Sequence, residues 1–538
     1  MTKAKMDARV INADRARVLQ AASLVGAAVF VSRILGLVRD MITKNYLGVT
    51  TLEATAYDAA NRFPEAIFLI IAGGAIGSAF IPTFSAYLAR EDEAGGWRLF
   101  SAVINLTTLV VTVVAGLAIL LAPQFVDFFM ADLIIEQPAI RDLTIQLMRI
   151  MLLSTVIFGA SGVIMGALNA RQHFLLPALA PIIYNLGIIA GVVLLTPKVM
   201  GLAIGTVFGA VGHLMIQLPG LRQQGARYTA VLTLRDPGVR QVLRLMAPRV
   251  LGLSFSEINK FLILFLTGSM MLGSLPALNT ALRIIIMPQG ILGQAMGIAA
   301  FPTMAALAAR SAHAEMRHIV TSSLRLLLFL GMPVTVLLML LREPIIAILY
   351  QRGLFGSEST ELVAWALLFL AMGLVALAAL EVIARAFYAL NDTLTPVLAG
   401  GIQVTVMGLL SYWLSRDLFP SLGWLPLGGL ALGFTLSNFL EAGLLLLLLR
   451  RKMGRLEGWA LLDGLWRIML ASALMGTAVW GGLAMTPATA VWLQAVLGGV
   501  VGGLVYLLAC TGLRVSEMGQ IWCFGRERLG FLRRMRGG

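Results

Sequence analysis

The segment Ser32-Arg33-Ile34-Leu35-Gly36-Leu37-Val38-Arg39-Asp40 sets two guanidinium groups and a carboxylate inside a stretch long and apolar enough to be a membrane helix. Charge at membrane depth is costly unless it faces water or a partner, so such residues mark a transport path by default. Arg33, Asp40 and Lys44 are spaced by seven and four residues and fall on one helical face, whereas Arg39 points about a third of a turn away. A second apolar run opens with Arg62-Phe63-Pro64-Glu65, where Pro64 should start or bend the helix. Arg249, Glu257 and Lys260 share a later run, and Arg283 comes five residues before Pro288-Gln289-Gly290. Guanidinium forks grip phosphate oxygens in pairs. No catalytic carboxylate pair or activated nucleophile surrounds them, so the chemistry predicted is binding of a doubly charged anion such as a pyrophosphate. Surroundings this apolar suit an anion carried on a lipid.

Each charge has a competing structural reading. Lys260 or Arg249 can pair with Glu257, and Arg385 with Glu381 one turn away, and for these helix pairing is expected. Arg33 and Arg283 have no nearby acid in sequence to account for them and are expected to face a ligand. Arg39, Asp40 and Arg62 are open between the two roles. Lys44 is expected to snorkel to the outer interface, and His213 to be a core or interface residue rather than a proton relay. Cys510 and Cys523 are too few for a disulfide framework or a metal cluster.

The elements that must position these residues are membrane helices. The chain has 538 residues, 59% apolar and 13% charged, with mean hydropathy +0.88, more apolar surface than a soluble core can bury. Residues 99–126, 174–197 and 418–440 contain no charged side chain, and runs of this length span as helices rather than as alternating barrel strands. Fourteen spans are predicted: 21–47, 60–88, 99–122, 144–169, 174–196, 200–221, 243–267, 280–308, 319–341, 361–389, 395–415, 424–449, 466–485 and 491–512. With this count the loops on the side of the termini hold 24 Lys and Arg, against five on the other side, so the termini are expected in the cytoplasm. The net charge of +14 is thereby explained without nucleic acid, because the basic residues are spread over many short loops. No removable signal peptide is read in the first 20 residues.

The chain also repeats. Residues 75–90 match residues 295–310 at eight of sixteen positions, Arg33-Ile34-Leu35-Gly36-Leu37 returns as Arg249-Val250-Leu251-Gly252-Leu253, and Ala167-Leu168-Asn169 returns as Ala389-Leu390-Asn391. The offset covers six spans, an even number, so the fold predicted is an all-α membrane protein of two parallel six-helix lobes plus a C-terminal helix pair. The expected divisions are a cytoplasmic segment 1–20, a first lobe 21–223, a second-lobe core 237–416 completed by span 12 at 417–450, accessory helices 463–513 and a basic cytoplasmic tail 514–538.

With Asp58, Phe63-Pro64, Phe80-Ile81-Pro82, Leu282-Arg283 and Leu349-Tyr350-Gln351-Arg352-Gly353 added to the opening motif, the chain resembles the MurJ (MviN) lipid II flippase family, part of the superfamily of multidrug and oligosaccharidyl-lipid exporters. The resemblance implies movement of an undecaprenyl-pyrophosphate-linked peptidoglycan precursor from the inner to the outer leaflet of the bacterial inner membrane. It implies that Arg33, Arg39, Asp40 and Arg283 are functional charges of a central cavity, and that the last two helices form a groove for the polyprenyl tail. It also implies contact with membrane lipids and, through the pathway, with cell-wall synthesis proteins. Where the family commonly has an arginine pair and then Ala-Glu-Gly in helix 2, this chain has Phe68-Leu69 and then Ala72-Gly73-Gly74; Arg62 stands at a position that is basic in the family. No cofactor or metal is expected, and the driving force is open between membrane potential, sodium and protons. The rival readings are a flippase for another polyprenyl-linked oligosaccharide, a drug or cation exporter of the same superfamily, and a membrane scaffold for cell-wall enzymes.

Overall fold

Backbone groups in hydrocarbon must be satisfied within their own segment, and every described element of the computed structural model is accordingly helical. The structure describes residues 26–70, 76–454, 458–485 and 490–519. The expected segment 1–20, the end of the basic tail and Gly73 lie outside them.

The chain divides into two compact units, residues 1–275 with Arg352–Phe355, and residues 276–351 with 356–538. The first contains α1 (26–47), α2 (Leu52–Ala60), α3 (Arg62–Ile67), α4 (Ile76–Ala89), α5 (Glu93–Leu120), α6 (Ala122–Phe129), α7 (Ala131–Glu136), α8 (Ala139–Ala170), α9 (Leu175–Leu194), α10 (Lys198–Met215), α11 (Leu218–Gln223) and α12 (Pro237–Thr267). The second contains α13 (Ser274–Gln289, which begins at the division), α14 (Ala295–Ala309), α15 (His313–Leu340), α16 (Arg342–Tyr350), α17 (Ser357–Met372), α18 (Leu374–Ala389), α19 (Leu394–Trp413), α20 (Phe419–Ser421), α21 (Pro426–Met453), α22 (Gly458–Met485) and α23 (Val491–Gly512). Duplication assigns α12 to the second half, but packing groups it with the first: Val239 and Val242 are buried in the same core as Phe80, Phe84, Trp97 and Phe100.

Among the described residues, ten helices are long and apolar enough to cross a membrane, and α17 with α18, bent by 45°, make an eleventh. The three other expected spans fall on α1, on α3 with α4, and on α12, which are the elements that carry Arg33, Arg39, Asp40, Arg62, Glu257 and Lys260.

In the first unit α8 forms the axis, burying Met148, Met151, Phe158 and Ile164 among its neighbours. Helices α9 and α10 meet through glycine: a Cβ on Gly187 would lie 2.4 Å from Gly209 Cα, and one on Gly191 would lie 2.2 Å from Gly201 O. Removing side chains at this seam lets the two backbones touch and fixes the wall that α9 presents. In the second unit α15 carries the C-terminal pair, with Tyr506 Oη donating to Phe329 O at 2.6 Å and Arg325 Nε donating to Glu517 Oε1 at 2.7 Å.

Candidate functional site

The stripe Arg33–Asp40–Lys44 runs from an open groove into packed protein. Arg33 is exposed and lines a cavity of about 300 Å³ with Ser32, Val29, Met165, Asn169, Phe174 and the Pro177–Pro181 wall of α9. Nothing among the described residues neutralises its guanidinium. Arg39 is half-buried within electrostatic reach of Tyr184 on α9, whose ring meets Phe158 edge-on at 5.0 Å. Asp40 is 4% exposed. Lys44 departs from its expected course: it is buried and lies 3.6 Å from the Asp58 carboxylate, because α2 folds back over the end of α1 and supplies an acid where water was anticipated.

Arg62 belongs to a chain of alternating charge. Its Nη1 lies 3.5 Å from Glu65 Oε2; Glu65 Oε1 lies 3.1 Å from Lys260 Nζ, and Lys260 lies 3.1 Å from Glu257. Arg62 is thus matched by an acid one turn away, and two cations and two anions sum to zero across α3 and α12. The expected pairing of Lys260 with Glu257 is present. Phe68, where the family commonly carries arginine, packs against Phe158 at 4.7 Å.

In the second unit, Arg283 is exposed on α13. The expected Arg385–Glu381 pair forms at 2.8 Å, with Gln289 Nε2 donating to Glu381 at 3.3 Å. Glu441, near the middle of α21, is half-buried and has no ion pair among the described residues. His213 has the core role expected of it, 2.7 Å from the Ser161 hydroxyl in a buried cluster with Gln217. No metal-binding cluster occurs among the described residues.

Sequence reasoning passed over Ser32 and Asn169 beside Arg33, and Glu65 between Arg62 and Lys260. Glu65 had a signal in its three-residue spacing from Arg62; Asn169 had one in the duplicated Ala-Leu-Asn string.

Residues 43–500 match the family described as lipid II flippase MurJ. The chain belongs to the MurJ family. A probable lipid II flippase MurJ of Rhizobium tropici is 30% identical over 464 residues, covering 84% of each chain, and one of Vibrio cholerae is 28% identical over 80% of this chain and 82% of the relative. Among solved structures, a lipid II flippase MurJ in an inward closed conformation superposes with a TM-score of 0.74 at 23% identity, over 91% of this chain and 98% of the other. An inward-facing multidrug resistance MATE transporter superposes at 0.68 with 16% identity, over 79% and 96%. The fold is thus shared with both of these structures. As a MurJ-family member with many apolar helices, the chain is a multi-pass bacterial inner-membrane protein and a transporter rather than an enzyme.

Proposed function

We propose that this chain moves lipid II, the undecaprenyl-pyrophosphate-linked peptidoglycan precursor, from the inner to the outer leaflet by alternating access, with both termini in the cytoplasm. The observation that carries the reading is the Arg33 guanidinium, which has no counter-charge among the described residues, lining a cavity in a chain whose family match runs over residues 43–500. Arg33, Arg39 and Arg283 are the residues proposed to hold the pyrophosphate. Asp40 and Arg62 are proposed to shape the field around it, since Asp40 is packed inside and Arg62 already faces Glu65. A ligand shifts a two-state equilibrium only by binding one state better, so phosphate contacts that strengthen as the lobes rock supply the coupling. Outward transfer of net negative charge is favoured by an inside-negative potential at about 2.3 kcal/mol per charge per 100 mV. Cell-wall synthesis proteins are the proposed partners.

The test is reconstitution in liposomes with labelled lipid II, following its accessibility on the far leaflet. Native protein should move it, and Arg33→Ala and Arg283→Ala should each slow transfer at least tenfold. Equal rates for native protein and Arg283→Ala would remove Arg283 from the site.

One observation favours a second reading, a flippase for a different polyprenyl-linked oligosaccharide: the Phe68–Phe158 contact sits where the family commonly has a charge. Replacing a depleted lipid II flippase with this chain separates the two. Failure of growth despite good expression selects the second.

A further inference from the structure

We propose that Ser32, Arg33 and Asn169 form a loading subsite that takes a lipid-linked phosphate together with the carbohydrate it carries, with Asn169 as the positioning residue for the sugar. This rests on the lipid II reading and deepens it. The cavity lies between α1, the last turn of α8, where Asn169 is the penultimate residue, and the first turns of α9. Its floor is therefore where α8 ends and α9 begins, beside α1. The three polar groups have no hydrogen-bond partner for their side chains among the described residues. Arg33 supplies the charge and fork geometry for phosphate. A carboxamide both donates and accepts, which matches hydroxyl and acetamido groups of a sugar rather than phosphate oxygen alone. Phe174, Pro177 and Pro181 give a stiff apolar wall for the C–H face of a sugar ring.

The residues at the repeat-related positions are Arg249, on α12, and Asn391, which has a positive φ of 58° in the turn after α18.

Liposomes containing the full-length protein and graded amounts of lipid II give a half-saturating mole fraction and a maximal rate. Undecaprenyl pyrophosphate without sugar is the competitor. Asn169→Leu, similar in volume but unable to hydrogen-bond, should raise the half-saturating fraction for lipid II about tenfold, the worth of one such bond, with a maximal rate within about twofold. Inhibition by the sugarless lipid should be unchanged, while Arg33→Ala should weaken both lipids. An unaltered half-saturation, or a loss confined to the maximal rate, overturns the assignment. Independently of any variant, lipid II with a photoreactive group on its first sugar should cross-link to residues 165–181 of native protein, and labelling elsewhere overturns it too. Failure of the native protein to move lipid II is a different result and defeats the underlying function with it.

Discussion

Lys44 and Asp58 form an ion pair at 3.6 Å with side-chain exposures of 5% and 14%, tying the end of α1 to α2. Removing one partner of a withdrawn pair strands the other, at about 3–5 kcal/mol, while replacing both by apolar residues is often neutral. Lys44→Met and Asp58→Leu singly should therefore lower the thermal midpoint in detergent sharply. The double variant should recover most of the loss. A double variant as unstable as the sum of the singles would show that the pair does not act as a unit.

That relationship marks the limit of what the sequence conveys. The fold class was legible because hydropathy over about 20 residues is a strong signal. Pairings within one helix, Arg385–Glu381 and Lys260–Glu257, were legible because helical geometry fixes neighbours three and four apart. Lys44–Asp58, Glu65–Lys260 and the meeting of Arg33 with Asn169 depend on how distant helices pack, which no local period encodes. Helix α12 misled for the same reason: its sequence belongs to the second repeat, its burial to the first unit.

The alternating chain Arg62–Glu65–Lys260–Glu257 makes Glu65 the shared anion between two cations. Glu65→Gln should destabilise more than Glu257→Gln, because it removes two contacts instead of one. A double-mutant cycle between Glu65 and Lys260 should show coupling of about 0.5–3 kcal/mol. Strict additivity would mean that water screens the contact.

Arg352–Phe355 packs into the first unit although its flanks belong to the second. Leu354 N donates to Asn45 O at 2.9 Å, and Gly353 takes φ +59° with Asn45 O only 2.3 Å from where a Cβ would stand. Gly48, at φ +67°, faces Leu354 O in the same way at 2.7 Å. Both strain and clash oppose any side chain here. Gly353→Ala should release the segment and raise the labelling rate of a cysteine placed at the buried Phe355 at least severalfold over the same cysteine with Gly353 intact. Unchanged labelling would show that the segment stays docked without the glycine.

Glu441 is a carboxylate near the middle of the apolar α21 with no ion pair among the described residues. Unmatched charge at that depth is destabilising, so Glu441→Gln should leave the thermal midpoint unchanged or raise it. A fall of several degrees would mean that the carboxylate is held by a bound cation, and adding sodium should then raise the midpoint of the native protein but not that of the variant.

Asp392, in the turn between α18 and α19, accepts from Thr395 N at 3.0 Å, from Thr395 Oγ1 at 2.6 Å and from Lys452 in the last turn of α21. Burial alone pushes its carboxyl up, but the hydrogen bonds from Lys452 and Thr395 outweigh that and hold it down at about 2, against an ordinary 3.8. Because the folded value lies below the unfolded one, the unfolded chain takes up the proton first as pH falls. The stabilisation is therefore complete above about pH 4 and disappears as pH drops toward 2. Asn at this position keeps an acceptor and removes only the charge, so thermal midpoints of native protein and Asp392→Asn should differ most near neutral pH and converge between about pH 4 and about pH 2. A gap of constant size across that range would assign the effect to lost hydrogen-bond geometry rather than to the carboxylate's charge.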